Sequence, residues 1–358
     1  MTNPEHLRRL WEGANRWNQW RQQNPHELPD LEGACITRVP PGIPEDLRRF
    51  DLSGSNLRGA NLTGVRLSRA NLERADLTQA ILCFASFFTQ TNFIFPSFIN
   101  SANLSRANLT QANLRMARLD NANLTRANLQ EADLWNASFR FANLQEADLT
   151  RATLTYANFW SANLQESILC NANLSESELS FTNLSEATLS YANLSQAIFY
   201  GAKLNQAIFY KANLNKANLS ATQALRTNFA EAVFTGACLE NWNINSGTIV
   251  DNIDCQYVYL RSNNQSRIPS NRDFKSEEFT QLLQIKIAVG KIQQLLRDLK
   301  QKNPGATEEE QHNFLISSVP PGMREKLMNT LQAGSIEMIK QIINNPFFNI
   351  LIEMIKAW

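Results

Sequence analysis

The side chains that could do chemistry in this 358-residue chain are few and dispersed. The three histidines, His6, His26 and His312, all lie outside the repetitive centre of the sequence, and no base identifiable from the sequence stands beside its many Ser and Thr. Neither a Ser-His-Asp nor a Cys-His arrangement can be drawn. Cys35, Cys83, Cys170, Cys238 and Cys255 are odd in number and far apart, which suggests reduced structural thiols rather than a disulfide framework or a CxxC metal site. No P-loop, GxGxxG, HExxH or paired CxxC pattern occurs, so phosphate, dinucleotide and zinc chemistry lose their usual markers. The expectation is a non-enzymatic protein with no catalytic residue, cofactor or metal. One chemically suggestive set remains: Glu146, Glu166 and Glu186, spaced by twenty. A twenty-residue structural period would stack them about 4.8 Å apart, as a solvated acidic ladder or as a site for a cation or basic partner. Their repulsion does not forbid this, since such neighbours cost only about 1 kcal/mol per pair in water.

What must position these residues is a repeat of five. From Leu47 to about Ile249 an apolar residue, usually Leu or Phe, returns every fifth position, and the residue two places before it is usually Ala. From Ala102 to Ala162 the Ala recurs thirteen times in succession. Such self-similarity outranks every other signal. A period of five fits neither a helix of about 3.6 residues per turn nor a flat strand, whose fifth residue switches faces. The chain must therefore turn a corner once per pentapeptide, with Leu and Ala pointing to a common axis and coils stacking like parallel strands. Phe139, Phe159 and Phe199, and likewise Phe209 and Phe229, recur at multiples of twenty, which gives four pentapeptides per coil. About forty repeats then make about ten coils and a rod about 50 Å long.

Runs such as Ala102-Asn103-Leu104, Ala107-Asn108-Leu109 and Ala112-Asn113-Leu114 resemble the pentapeptide repeat family, whose motif is Ala-(Asp/Asn)-Leu-X-X. The resemblance covers more than half the chain and implies a mainly β fold, a right-handed quadrilateral β-helix with the central and small residues inward and the other three outward. Asn or Asp before the centre would suit the turns by tolerating the left-handed region and bonding local backbone. Two phase slips, either side of Phe93 and Phe98, predict bulges. Pro40, Pro41, Gly42 and Pro44, between the early centres Leu31 and Ile36 and the next at Leu47, predict an excursion loop.

Open ends of a stacked solenoid need caps. Leu7, Leu10, Trp11, Ala14, Trp17 and Trp20 form one helical stripe within residues 4–22, a capping helix or else a partner-binding one. The stretch Trp17-Asn18-Gln19-Trp20-Arg21 with Pro29-Asp30-Leu31, and Glu240-Asn241-Trp242-Asn243-Ile244-Asn245 with Tyr257-Val258-Tyr259-Leu260, resemble the first and last coils of cyanobacterial pentapeptide repeat proteins. The domain reading is a cap over 1–30, a β-helix over 31–260, a polar linker over 261–272 and a separate α-helical domain over 273–358. Phe279, Leu282, Leu283, Ala288, Ile292, Leu295, Leu296 and Leu299 outline its first amphipathic helix. Thr307 with Glu310 supplies a capping-box pattern for a second, and residues 323–332, 335–344 and 347–357 read as short helices. The tail resembles helical tails on some cyanobacterial members of the family.

Lys and Arg number 34 against 33 Asp and Glu, a net charge of +1, so direct nucleic-acid binding is not expected. No apolar leader follows Met1 and no run of about 18 apolar residues occurs, so a cytoplasmic protein is expected. The resemblance also raises regulation of a DNA enzyme such as type II topoisomerase by an acidic rod that imitates DNA. Residues 51–258 carry 14 Lys and Arg against 16 Asp and Glu, far from the one charge per about 1.7 Å of DNA. The more unusual surface is aromatic. Phe141, Trp160, Phe181 and Tyr200 should point outward on one side of successive coils, with Trp135 and Tyr156 on the adjoining side, and Phe84, Phe88, Ile94, Phe95 and Ile99 form a second outward cluster. Such patches mark partner surfaces, or are covered by the tail, or reinforce the coils. The leading reading is a protein–protein interaction scaffold of unidentified protein partner, with a homodimer through the helical tail as one form of assembly. Membrane association through Phe347, Phe348, Ile350, Leu351, Ile352, Met354 and Ile355 is the least favoured alternative.

Overall fold

The computed structural model describes residues 2–37, 47–83, 85, 102–305, 307 and 310. Its centre is a four-sided solenoid. Residue i pairs in parallel with residue i+20 on every side, as in Asn103 with Asn123, Asn108 with Asn128, Asn113 with Asp133 and Arg118 with Ser138. These pairs define sides A, B, C and D in chain order, and each corner takes the letter of the side before it. The central residues from Leu104 to Phe234 have a relative exposure of 0%, and the Ala positions are buried beside them.

The backbone accounts for why the motif has five residues. In the repeat Ala102–Arg106 the central Leu104 N–H donates to Asn123 O of the next coil, and Asn123 N–H donates back to Ala102 O. Arg106 N–H reaches Thr125 O, and Ala107 N–H closes the turn on Leu104 O. The one remaining donor, Ser105 N–H, is taken by the Asn103 side-chain oxygen at 3.1 Å. Asn or Asp before the centre therefore completes the pairing of buried backbone, which is close to obligatory. The expectation that this residue adopts the left-handed region is corrected: positive φ falls two places after the centre, at Arg106, Gln111, Met116, Asn121 and onward. That is the third position of a type II turn. The Asn amides also bond along the rod, with Asn123 donating to Asn103 and Asn163 to Asn143 at 3.1 and 3.0 Å.

The ladder crosses both breaks in the repeat. Asp30 pairs with Asn56 and Cys35 with Asn61, 26 residues apart, so six residues are inserted before Leu47, as the Pro-rich excursion requires. The residues of that excursion, 38–46, lie outside the description. Asn71 pairs with Asn103 and Ile81 with Asn113, 32 residues apart, so twelve residues are inserted there. Bulges at Phe93 and Phe98 would stack Leu104 beneath Leu82. Instead Leu72 N–H bonds Asn103 O, and Leu82 N–H bonds Asn113 O. The two-bulge expectation is thus corrected to one twelve-residue insertion; Phe87, Phe93 and Phe98 themselves lie outside the described residues. A single-residue bulge occurs where none was expected, since Asn228 pairs with Ile249 and Val233 with Asp254 at a separation of 21.

At the first coil the Trp stripe forms two helices, α1 (Pro4–Leu10) and α2 (Ala14–Gln23), where one was expected. Gly13, at φ 93, separates them. Leu10, Trp17 and Trp20 are buried in the same core as the first coils. Their polar neighbours meet the exposed edge of the ladder. Trp17 Nε1 donates to Asp51 O at 2.7 Å, and Asn18 Oδ1 accepts from Asp51 N–H at 2.9 Å. On side B, His6 Nδ1 accepts from Asp30 N–H at 2.9 Å, while Asn3 N–H donates to Asp30 O.

Along side A near the exit, β1 (Gln223–Ala224) pairs in parallel with β2 (Asn243–Ile244). Residues 261–272, expected as a linker, include β4 (Gln265–Ile268), antiparallel to β3 (Val258–Arg261). The expected amphipathic helix is α3 (Glu278–Lys302). It does not stand apart from the rod: Phe279, Leu282, Leu283 and Ile285 join the solenoid's core, with Phe279 6.1 Å from Phe234. The Lys286 ammonium bonds Trp242 O at 3.2 Å, and burial lowers its pKa to about 8. Thr307 and Glu310 make the reciprocal bonds of a capping box. The helices expected at 323–332, 335–344 and 347–357 lie outside the described residues. Among those described, no helix is long and apolar enough to cross a membrane.

Candidate interaction surface

The two residues after each centre form a corner, and corner D carries aromatic rings on four consecutive coils. Phe141 and Phe181 occupy the left-handed position, and Trp160 and Tyr200 the one before it. This alternation leans successive rings toward one another. Phe141 meets Trp160 at 4.8 Å and 90°, Trp160 meets Phe181 at 6.1 Å and 82°, and Phe181 meets Tyr200 at 5.5 Å and 88°. Edge-to-face contact matches the positive ring edge to the negative face of its neighbour. Phe141, Phe181 and Tyr200 nevertheless remain 46%, 51% and 47% exposed. Gly201 makes room for the ladder, because a Cβ there would sit 2.8 Å from Phe181 Cε1.

Corner C holds the shorter row expected from the sequence. Trp135 and Tyr156 meet at 6.2 Å and 87°. Arg115 lies over the Trp135 ring, as Arg140 lies over Trp160 on corner D. The Tyr156 hydroxyl donates to Glu176 at 3.0 Å, a bond that raises its pKa. Side D, with Ser138, Asn158, Glu178 and Ile198 outward, separates the two rows. The arrangement offers ring edges and faces held at coil spacing, bordered by guanidinium and carboxylate groups, which suits a protein partner's apolar and cationic side chains. The second expected cluster, Phe84, Phe88, Ile94, Phe95 and Ile99, lies outside the described residues.

A further aromatic pair was missed in the sequence. On corner B, Tyr191 and Tyr210 meet at 5.6 Å and 89°, and Lys211 Nζ approaches both rings. The signal was their separation of nineteen, shared by Phe141–Trp160 and Phe181–Tyr200.

The glutamate ladder exists as a column on corner A, but its first member is engaged. Arg126 binds Glu146 through two bonds of 2.7 and 3.1 Å, which lower the Glu146 pKa. Among the described residues no group of His, Cys, Asp and Glu is placed to hold a metal ion. His6 has both ring nitrogens occupied: Nδ1 accepts from Asp30, so Nε2 carries the proton and donates to Glu27 at 2.9 Å. The five cysteines are free thiols.

A family model for pentapeptide repeats matches residues 46–82, 102–140, 136–169, 156–190, 169–206 and 207–243, together half of the chain. No curated protein matches the chain. Among solved structures it is similar to HetL, a pentapeptide repeat protein involved in heterocyst differentiation regulation from the cyanobacterium Nostoc sp. strain PCC 7120. The identity is 28%, over 60% of this chain and 89% of that one, with a TM-score of 0.42. QnrB1, a plasmid-mediated fluoroquinolone resistance protein, is 17% identical over 53% of this chain and 89% of its own, with a TM-score of 0.45. The pentapeptide repeat protein Rfr23 from the cyanobacterium Cyanothece 51142 is 32% identical over 32% of this chain and 64% of its own, with a TM-score of 0.13. With the family model repeated along a ladder whose coils reuse the same four backbone bonds and one side-chain bond, the chain belongs to the pentapeptide repeat family and is a right-handed β-helix solenoid.

Proposed function

We propose that the protein is a non-enzymatic interaction scaffold, whose rod presents the corner D aromatic ladder to a protein partner. The observation that carries this reading is the exposure of Phe141, Phe181 and Tyr200 on a rigid ladder. Aromatic side chains held in advance lose little freedom on binding and dominate interface hot spots. Trp135 and Tyr156 on corner C extend the surface across side D. In this reading α1 and α2 cap one end of the rod by supplying side-chain partners to its first rungs. Helix α3 covers the other end, and the remaining tail is an effector or assembly module. Five free thiols fit a reducing compartment, the cytoplasm.

Regulation of a DNA enzyme draws no support from the corners, since the glutamate column of corner A continues into arginines. The test is affinity capture from the cells that make the protein, comparing the native chain with Phe181→Ser/Tyr200→Ser and with Tyr191→Ser on corner B. The reading expects a protein held by the native chain and by Tyr191→Ser but released by the corner D variant. Retention by all three would remove it.

A further inference from the structure

We infer that corner A is a self-association edge, along which two copies of this chain pair antiparallel about a twofold axis. Six consecutive coils present Arg74, Arg106, Arg126, Glu146, Glu166 and Glu186 at the same left-handed corner position, with φ between 57 and 63. Their backbones stand directly in column. Arg74 N–H bonds Ser105 O, Arg106 N–H bonds Thr125 O, Arg126 N–H bonds Gln145 O, Glu146 N–H bonds Gln165 O, and Glu166 N–H bonds Ser185 O, all between 2.9 and 3.1 Å. Arg74 joins the column only because twelve inserted residues separate its coil from the next, which hides it from a count by twenties.

Over these six coils the stripe changes sign once, at its midpoint; beyond them the column continues through Gln206 to Arg226. Turned end for end, it is its own complement: Arg74 stands opposite Glu186 of a second copy, Arg106 opposite Glu166, and Arg126 opposite Glu146. Each contact occurs twice, as a twofold isologous interface requires. Parallel pairing in the same register would set like charges against each other. The coils that carry the stripe repeat the polarity, which residues 201–230, with four Lys and Arg and no Asp or Glu, do not extend. Residues 47–126 carry ten Arg against four Asp and Glu, and residues 127–200 two Arg against eight. Two rods approaching antiparallel are therefore steered into this register.

Within one copy the column is only partly neutralised. Arg126 and Glu146 bind each other at its midpoint, Arg74 lies 3.9 Å from Glu73, and Glu166 accepts from Gln165 at 3.1 Å. A second copy would close the central pair into a ring of four charges and give Arg106 and Glu166 opposite partners. Because these charges are solvated, the association is salt-sensitive. It is independent of the aromatic ladder, which occupies another corner, so either proposal can fail alone.

Sedimentation equilibrium of the full chain tests it, at about 20 mM and about 500 mM salt, where screening lengths differ severalfold. A dimer is expected at low salt and a monomer at high salt. Arg106→Glu and Glu166→Arg should each weaken the dimer by about tenfold or more. The double variant should restore it, and an equimolar mixture of the two single variants should form a heterodimer, since each then supplies the charge the other lacks. Circular dichroism checks that the variants fold, and the salt dependence of the native chain stands without them. A native chain that stays monomeric at low salt, or a dimer indifferent to these charges, would overturn the inference.

Discussion

The two aromatic columns of side D, one inside the solenoid and one outside, use the same residue types in opposite ways. Inside, Phe139 and Phe159 are fully buried and stack face to face, 4.7 Å apart with planes 2° from parallel. Outside, Phe141, Trp160, Phe181 and Tyr200 run over four coils against the two of that stack, with every neighbour close to perpendicular. The walls of a narrow interior hold rings in register with the coils and override their electrostatic preference. A corner imposes no such wall, and the rings take the edge-to-face geometry that their quadrupoles favour. The inner column holds the fold together, whereas the outer one leaves half of each exposed ring to water or a partner.

The difference can be broken most severely from inside. Phe159→Ala should cost about 3–5 kcal/mol, read as a fall in the denaturant midpoint, because the coils above and below cannot close on the cavity. Gly201→Ala strikes where the outer ladder leans on backbone. It forces a left-handed Ala and a 2.8 Å approach to Phe181, and should cost about 1–3 kcal/mol. Phe181→Ser should change stability by no more than about 1.5 kcal/mol, the size of one aromatic pair. A cost matching that of Phe159→Ala would show that the ladder is structural.

Lys286 sharpens the same contrast at the rod's end, where a charge enters the core. Its folded pKa of about 8 lies below the ordinary 10.5 through burial, so between these values the unfolded chain binds more protons than the folded one. Docking of α3 should therefore strengthen as pH rises from about 8 toward 10.5 and be weakest below 8. Hydrogen exchange along α3 checks this, and Lys286→Met should flatten the profile.

The fold was legible because Leu, Phe and Ala at a strict spacing of five admit few other solutions, and the expected rings of corners C and D fall where the count places them. Three features were not legible. Phe93 and Phe98 stand at spacings that repeat centres would also give, so the sequence alone could not distinguish an insertion from bulges; the ladder across Asn71 and Asn103 does. The left-handed corner position carries Arg, Gln, Glu, Phe, Tyr and Ser alike, because that conformation is imposed by backbone bonding and leaves little mark on residue choice. Asn, which tolerates it intrinsically, takes it at Asn121, Asn136 and Asn171, but Asn and Asp recur more regularly before the centre, where they satisfy a neighbouring N–H. The α3 contact with Phe234 and Trp242 was hidden because an amphipathic stripe reveals that a helix face is buried without naming what covers it.

The central claim, that the outer ladder of corner D is where a partner binds, is tested most directly by photo-crosslinking inside the cells that produce the protein. A photoreactive residue at Ser161 stands among the ladder rings, and one at Asn171 occupies the equivalent left-handed position on corner B. The account predicts a protein adduct from position 161 that is absent from position 171 and is lost with Phe181→Ser/Tyr200→Ser. Equal adducts from both positions, or none from 161, would contradict it.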